Sequence, residues 1–562
     1  MDDFLTLAAK THAERLALLD GDQRISYAEL NLAVATLAAR LTVQGIRRGQ
    51  RVAVLLDRSL DAVNLVHALV RIGASLVPLN PRLTADEMQY QVENAACDWI
   101  LRTTQDAHLD SSTHVDDLPR NAPGLNLVGA LELDNEFGIL FTSGTTGQPK
   151  GARLLWKNIY ASAKASALRL GTHPNDRWLL TLPLYHIGGL SILLRSALYG
   201  TAVILPNFEN DQFDLNQLQK RMYETETTMV SLVPTMLHRL LSDEFARQFF
   251  RRSNLPVGDE TASSQVRAPR RISQEFVFPE SLRLILLGGA AASPQLLERA
   301  FAQNLPVATT YGLTECASQV ATATPNEARR KPGSVGKPLA GIRVDIRDDD
   351  GQKMPTGEIG NVYVSGDVVM FGYLHQTQIH EWFRTGDLGY LDEDGDLFII
   401  QRRSDLIISG GENIYPAEVE AVLLEHPAIA EACVVGIPDE QWGQRVAVAI
   451  VVRTLRAQDR TSFDETMPED EQNAHRSTNI QDDGATHHRL GEEIITFCRQ
   501  HLAGYKIPRR IALLDNLPQT ASGKLKRQEI VKLLENPRSF SLEHSSSMLR
   551  EEKARAKVKK NL

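Results

Sequence analysis

Between Thr142 and Gly151 the chain reads TSGTTGQPKG. Gly144, Gly147 and Gly151 can turn backbone amides inward with no Cβ in the way. Thr142, Ser143, Thr145 and Thr146 add hydroxyl donors, and Lys150 adds a cation. Such a set can wrap the β- and γ-phosphates of a nucleotide. The spacing from Gly144 is GxxGxxKG, which is not the GxxxxGK[ST] of a Walker loop. Taken alone, the SGTTG core fits an ordinary polar turn as readily as a phosphate cradle.

Further groups with chemistry follow downstream. Gly288-Gly289-Ala290 comes after the apolar run LRLILL, and Tyr311-Gly312-Leu313-Thr314-Glu315 comes after Thr310. Thr385-Gly386-Asp387 precedes Arg402, and Lys524 lies in LPQTASGKLKR. Singly, Asp387 or Arg402 reads as a surface charge or a helix cap, and Glu315 as a salt-bridge partner. Their shared order over most of residues 25–530 resembles the acyl-adenylate-forming (AMP-binding) enzymes, which include acyl-CoA synthetases, luciferases and peptide-synthetase adenylation domains.

The resemblance implies a set of roles. The loop holds ATP, Thr314 meets the α-phosphate, Glu315 helps hold Mg²⁺, and Tyr311 lies against adenine. Backbone at Gly288, Gly289 and Ala290 approaches the purine, while Asp387 takes the ribose hydroxyls with Arg402 as its partner. Thr310 and Gly312 complete the nucleotide-binding residues. Lys524 bridges the substrate carboxylate and the α-phosphate, a task that suits a compact ammonium on a flexible stem. Lys150 steadies the outgoing pyrophosphate. The family rotates its small domain between two half-reactions. The hinge falls at Arg403 and Ser404, and many relatives carry Asp at the position of Ser404. Gly410 and Gly411 in ISGGENIYP would line the tunnel of coenzyme A.

Residues 177–206 bear on the acid. His186 in PLYHIGGL matches a position flanking the acyl pocket, although a packed core histidine is the plainer alternative. Arg195 stands in the otherwise apolar LSILLRSALYG and needs an anionic partner there. That partner is either a structural Asp or Glu, or a second carboxylate on the substrate. Ser231, Thr235, Ser318 and Gln319 join Arg195 and His186 as candidates for binding the acid. The leading expectation is a CoA ligase for a dicarboxylic aryl acid. A ligase for another aryl or medium-chain acid and a module loading a carrier protein are the alternatives.

The elements that must carry these residues show in the patterning. Arg51–Leu56, Thr201–Leu205 and Leu282–Leu287 are short apolar runs, each followed by helical periodicity, which predicts an α/β fold with largely parallel sheets. From about Gly333 short strands and the turns DDDG and DEDG predict hairpins in a small β-barrel-like region. After Arg403 an α+β pattern begins, with PAEVEAVLLEHPAI and EEIITFCRQHLA as helices and EACVVGIPD and RVAVAIVVR as strands. The expected domains are residues 1–402, which bind the nucleotide, and a mobile 403–536 carrying Lys524. Residues 537–562 are expected to form a disordered or helical tail. Residues 246–279 and 454–488 read as polar insertions.

Composition bounds the rest. The chain has 562 residues, 43% hydrophobic and 23% charged, with a net charge of −9 and no basic footprint for nucleic acid. Cys97, Cys316, Cys433 and Cys498 stand far apart, in no metal-binding spacing, and read as reduced thiols, which favours the cytoplasm. No uninterrupted apolar run reaches the roughly 18 residues of a membrane span. The partners expected are a small carboxylate, ATP, Mg²⁺ and coenzyme A, with homo-oligomer formation left open.

Overall fold

Val52, Ala53, Val54 and Leu55 are all buried, so the strand Arg51–Leu55 has cover on both faces. That is the environment of a parallel strand between helices. The computed structural model describes residues 1–81, 83–104, 109, 112–120, 131–142, 149–208, 214–241, 278–402, 405, 407–409, 412–414, 416–439, 443–453, 484–502, 504–519, 525–535 and 540–541. The chain divides into two compact units, Met1–Ile399 and Ile400–Leu562.

The larger unit holds two sheets rich in parallel strands and most of a third, antiparallel one. The first has seven strands in the order Gly372–Tyr373, Lys150–Leu155, Glu136–Thr142, Ser75–Leu79, Arg51–Leu55, Trp99–Arg102, Thr113–His114. Pairing is parallel from Glu136–Thr142 to Thr113–His114 and antiparallel across the two remaining edges. The second has nine strands, in which Leu284–Leu287 lies between Met229–Leu232 and Val307–Leu313, all three parallel. Val307–Leu313 then turns back into the antiparallel Ser318–Thr322.

Helices between these strands are capped as their sequences dictate. Leu60–Ile72 starts at Ser59, whose side chain accepts from the Ala62 N–H, and stops at Gly73 in the left-handed region. Tyr27–Gln44 carries a full capping box between Ser26 and Glu29. A buried ion pair, Arg71 to Asp3 at 3.2 Å, ties Leu60–Ile72 to the cap of the first helix, Phe4–His12.

The third sheet runs Arg343–Arg347, Gly360–Ser365, Phe383–Leu391, Leu397–Arg402 and forms an antiparallel half-barrel. Both expected acidic turns form. DDDG closes where the Asp348 N–H donates to Gln352 O at 3.0 Å, and DEDG where the Asp392 N–H donates to Asp396 O at 3.0 Å. Asp392, Asp394 and Asp396 crowd together at the second turn, and the Lys331 ammonium lies 2.7 Å from Asp392 and 2.9 Å from Asp396, and also contacts Asp394.

In the smaller unit Ile429–Asp439 and Gly443–Val452 form a long antiparallel pair, and Arg510–Leu513 adds parallel to the second of these strands. The helices Pro416–Glu425, Gly484–His501 and Arg527–Glu535 bring Val419, Leu423, Ile494, Ile495, Ile530 and Leu534 into its cores. Two expectations shift here. The helix predicted from EEIITFCRQHLA begins at Gly484, inside the stretch read as a polar insertion. Phe540–Ser541, expected in the tail, pairs antiparallel with Arg510–Leu513, because an edge strand keeps free backbone groups that another segment can satisfy. The remainder of that tail, residues 242–277 and residues 454–483 lie outside the described residues.

Candidate active site

Sheet order brings the separated motifs of the larger unit together. Thr142 ends one strand and Lys150 begins the next, and the two residues pair across the ladder. Residues 143–148 between them, including Ser143, Gly144, Thr145, Thr146 and Gly147, lie outside the described residues. Thr314–Cys316 forms a short turn after the strand Val307–Leu313, and both Ala317 and Ser318 then take positive φ, at 50° and 106°. These non-glycine residues in the left-handed region mark local strain directly after Glu315.

Glu315 is buried, and its Oε1 accepts from Thr142 Oγ1 at 3.3 Å and from the Tyr373 hydroxyl at 2.8 Å. Its other oxygen accepts no hydrogen bond among the described residues. The Lys150 Nζ lies 5.6 Å from the centroid of the Tyr373 ring. Carboxylate and hydroxyl oxygens are the hard donors that Mg²⁺ takes, so Glu315 and Thr142 fit that ion. Tyr373 was not singled out from the sequence, because its contacts with Glu315 and Lys150 span large sequence separations.

The segments expected to take adenine and ribose also meet. The Tyr311 hydroxyl donates to Asp387 Oδ2 at 2.5 Å, and the Asp387 N–H is held by Thr385 Oγ1 at 3.1 Å. Burial, then the Asp387 charge, hold the Tyr311 phenol well above its ordinary range, so it stays a donor. Cys316 next to Glu315 is fully buried, which pushes its thiol up and keeps it inert.

Gly288 and Thr310 lie back to back: a Cβ on Gly288 would sit 2.6 Å from Thr310 Cγ2. Gly289, at φ +82°, and Ala290 are exposed beyond it. Arg402 ends the strand Leu397–Arg402. Arg403, Ser404, Gly410, Gly411 and Lys524 lie outside the described residues.

Among the acid-binding candidates, Arg195 and Gln319 come together. Arg195 is 2% exposed, on the helix Ile187–Tyr199; its Nη1 donates to Gln319 Oε1 at 2.7 Å and its Nη2 to Ser162 Oγ at 3.0 Å. A structural Asp or Glu was one expected partner, yet among the described residues no carboxylate pairs with it. Burial lowers its pKa, and the two neutral acceptors offset only part of the desolvation cost. Gln319 continues the chain by donating from Nε2 to Thr322 Oγ1 at 2.8 Å, which shares a 2.8 Å bond with Thr310 Oγ1.

Ser231 is already engaged, since its Oγ accepts from Trp178 Nε1 at 3.1 Å. Thr235 lies half-buried in the first turn of Pro234–Leu240, and Ser318 is half-buried beside Gln319. His186 stands at the N-cap position of Ile187–Tyr199 without a side-chain capping bond, its ring 4.7 Å from that of Tyr185.

Comparison with known proteins follows this geometry. Residues 5–374 match the AMP-binding enzyme family, and residues 418–524 match the C-terminal domain of AMP-binding enzymes. The 2-succinylbenzoate–CoA ligase of Bacillus licheniformis is 35% identical over 543 residues, covering 94% of this chain and 99% of that protein. Two solved structures of o-succinylbenzoate CoA synthetase from Bacillus subtilis share 34% identity with this chain. The complex with the acyl-adenylate intermediate superposes with a TM-score of 0.77, covering 96% of this chain and 99% of the other. The complex with ATP and a magnesium ion gives 0.75, covering 95% and 100%.

Proposed function

The chain is an adenylate-forming acid–CoA ligase of the AMP-binding enzyme family, and we propose that its acid is 2-succinylbenzoate, which it converts to the CoA thioester for menaquinone biosynthesis. The observation that carries this reading is Arg195, a fully buried guanidinium whose partners among the described residues are all neutral. The carboxylate that activation leaves untouched on a dicarboxylic acid would supply the missing charge. Relatives of the chain that act on this acid strengthen the reading.

In the first half-reaction a carboxylate oxygen attacks the α-phosphorus of ATP. A C–O–P link forms, the bond to the bridging oxygen breaks, and pyrophosphate leaves with its electron pair. Two anions must meet, so the protein supplies positive charge and alignment. We assign Lys524 to the carboxylate and α-phosphate, Lys150 to the departing pyrophosphate, and Thr314 to the α-phosphate. Tyr311 and Asp387 hold the nucleoside, with Arg402 as the second ribose partner. Magnesium, when bound, neutralises phosphate charge, and Glu315 with Thr142 would hold it. In the second half-reaction the thiol sulfur of coenzyme A attacks the acyl carbon. AMP departs with the C–O electron pair, and the thiol proton is released. We assign Gly410 and Gly411 to the thiol's path, Arg403 and Ser404 to the hinge, and His186, Ser318 and Thr235 to the rim of the acyl pocket.

The test incubates wild-type protein and Arg195→Met with ATP, Mg²⁺, CoA and a panel of acids, reading thioesters by mass spectrometry. Wild type should favour 2-succinylbenzoate. Arg195→Met should lose about tenfold or more in kcat/KM for that acid, the cost of stranding one partner of a buried charge pair. Benzoate turnover should change little. Turnover of benzoate or octanoate but not of 2-succinylbenzoate would replace this acid and leave the ligase class intact.

A further inference from the structure

We propose that Tyr373 is a positioning residue of the adenylation centre: it presents Glu315 to a divalent cation through one oxygen and keeps Lys150 from neutralising that carboxylate. The inference rests on the adenylate-forming reading and assigns a residue which that reading left out.

Tyr373 occupies a two-residue strand, Gly372–Tyr373, on the edge of the seven-stranded sheet, with Tyr373 opposite Ala152 and Gly372 opposite Arg153. Hydrogen bonds fix it on both sides, the Phe371 N–H to Arg153 O at 2.9 Å and the Leu374 N–H to Gly151 O at 2.8 Å. Side-chain packing allows no slack beneath, because a Cβ on Gly151 would sit 2.5 Å from Leu374 Cδ1. One residue before Phe371, the Met370 N–H donates to the backbone oxygen of Glu315 at 2.8 Å. The segment 370–374 therefore grips both the strand that starts at Lys150 and the turn that carries Glu315.

The phenol uses this placement twice. Its hydroxyl donates to Glu315 Oε1, the oxygen that also takes Thr142 Oγ1. With both donors on one oxygen, Oε2 keeps its lone pairs for a hard cation, and the carboxylate has a fixed orientation. The ring face meanwhile meets the Lys150 ammonium at 5.6 Å from the centroid. No ion pair joins Lys150 to Glu315 among the described residues. A direct pair would consume both charges, leaving neither for a phosphate or a metal; an aromatic ring holds the cation near without cancelling the anion.

The test uses the full-length protein with Tyr373→Phe, which keeps the ring, and Tyr373→Leu, which removes it. Mn²⁺ binding to the ATP complex is read by electron paramagnetic resonance, the Mg²⁺ requirement by ATP–pyrophosphate exchange, and thioester formation from supplied acyl-AMP separately. Tyr373→Phe should weaken Mn²⁺ binding about tenfold, a usual effect for a group behind a metal ligand. The Mg²⁺ needed for half-maximal exchange should rise in parallel, with the thioester step unchanged. Tyr373→Leu should also raise the KM for ATP. Wild-type Mn²⁺ affinity in Tyr373→Phe, or equal losses in both half-reactions, would overturn the assignment. Absence of exchange in wild-type protein with every acid would instead overturn the parent reading, and the Mn²⁺ titration would still decide the role of Tyr373.

Discussion

At the scale of single residues, burial decides which ionisable groups act and which only cost. His67, 3% exposed on the helix Leu60–Ile72, is driven by burial from 6.5 down to about 4, with Asp3 opposing and Arg71 assisting. Its folded value lies below its unfolded one, so the unfolded chain takes the proton first. Stability is full above pH 6.5 and falls as pH drops toward 4. At pH 5 the loss from this group should be about 2 kcal/mol. Urea denaturation at pH 7.5 and 5.0 should show His67→Gln losing less between the two than wild type does, and equal losses would acquit the histidine. The residues proposed for the nucleotide could be singled out because their spacing is local, as in Tyr311–Glu315 or Thr385–Asp387. Tyr373 and Ser162 were not, since each matters only through partners far away in sequence: Tyr373 through Glu315, and Ser162 through Arg195 and through Ala317 O, to which it donates at 2.7 Å.

At the scale of elements, the tightest point near the site is the reversal from Val307–Leu313 into Ser318–Thr322. A Cβ on Gly312 would meet Ser318 O at 2.1 Å and Ser318 C at 2.7 Å, and both are backbone atoms that cannot swing away. Gly312→Ala should therefore force this pair apart, at a cost of about 1–3 kcal/mol, and displace Tyr311 and Glu315 together. Thermal unfolding and ATP calorimetry on the variant should show a lower midpoint and weakened binding; wild-type affinity would mean that the reversal tolerates the methyl. Strand runs with cover on both faces read plainly from sequence, as Arg51–Leu56 did for the observed Arg51–Leu55. The start of Gly484–His501 did not, because polar residues at its head resemble a loop when packing is unknown. Phe540–Ser541 was missed for a related reason, since a two-residue edge strand has no period to detect.

For the whole molecule, separate hydrophobic cores fill the two units. The residues assigned to the nucleotide fall in the larger one, apart from Arg402, which with Lys524 belongs to the smaller. Lys524→Ala should lower adenylation on the order of a hundredfold, the usual cost of one charge stabiliser, and spare thioester formation from supplied acyl-AMP. Loss of both half-reactions to the same degree would remove Lys524 from its assigned role. No helix among the described residues is long and apolar enough to cross a membrane.

The half-barrel turn at Asp392–Asp396 has a bearing on any such ion measurement. Three carboxylates at one turn would ordinarily compete for divalent ions, but Lys331 already sits among them. The Lys331 ammonium offsets part of that negative charge and should weaken the hold of the hairpin on divalent ions. On the metal role proposed for Glu315, a titration curve should therefore report mainly on that place among the described residues.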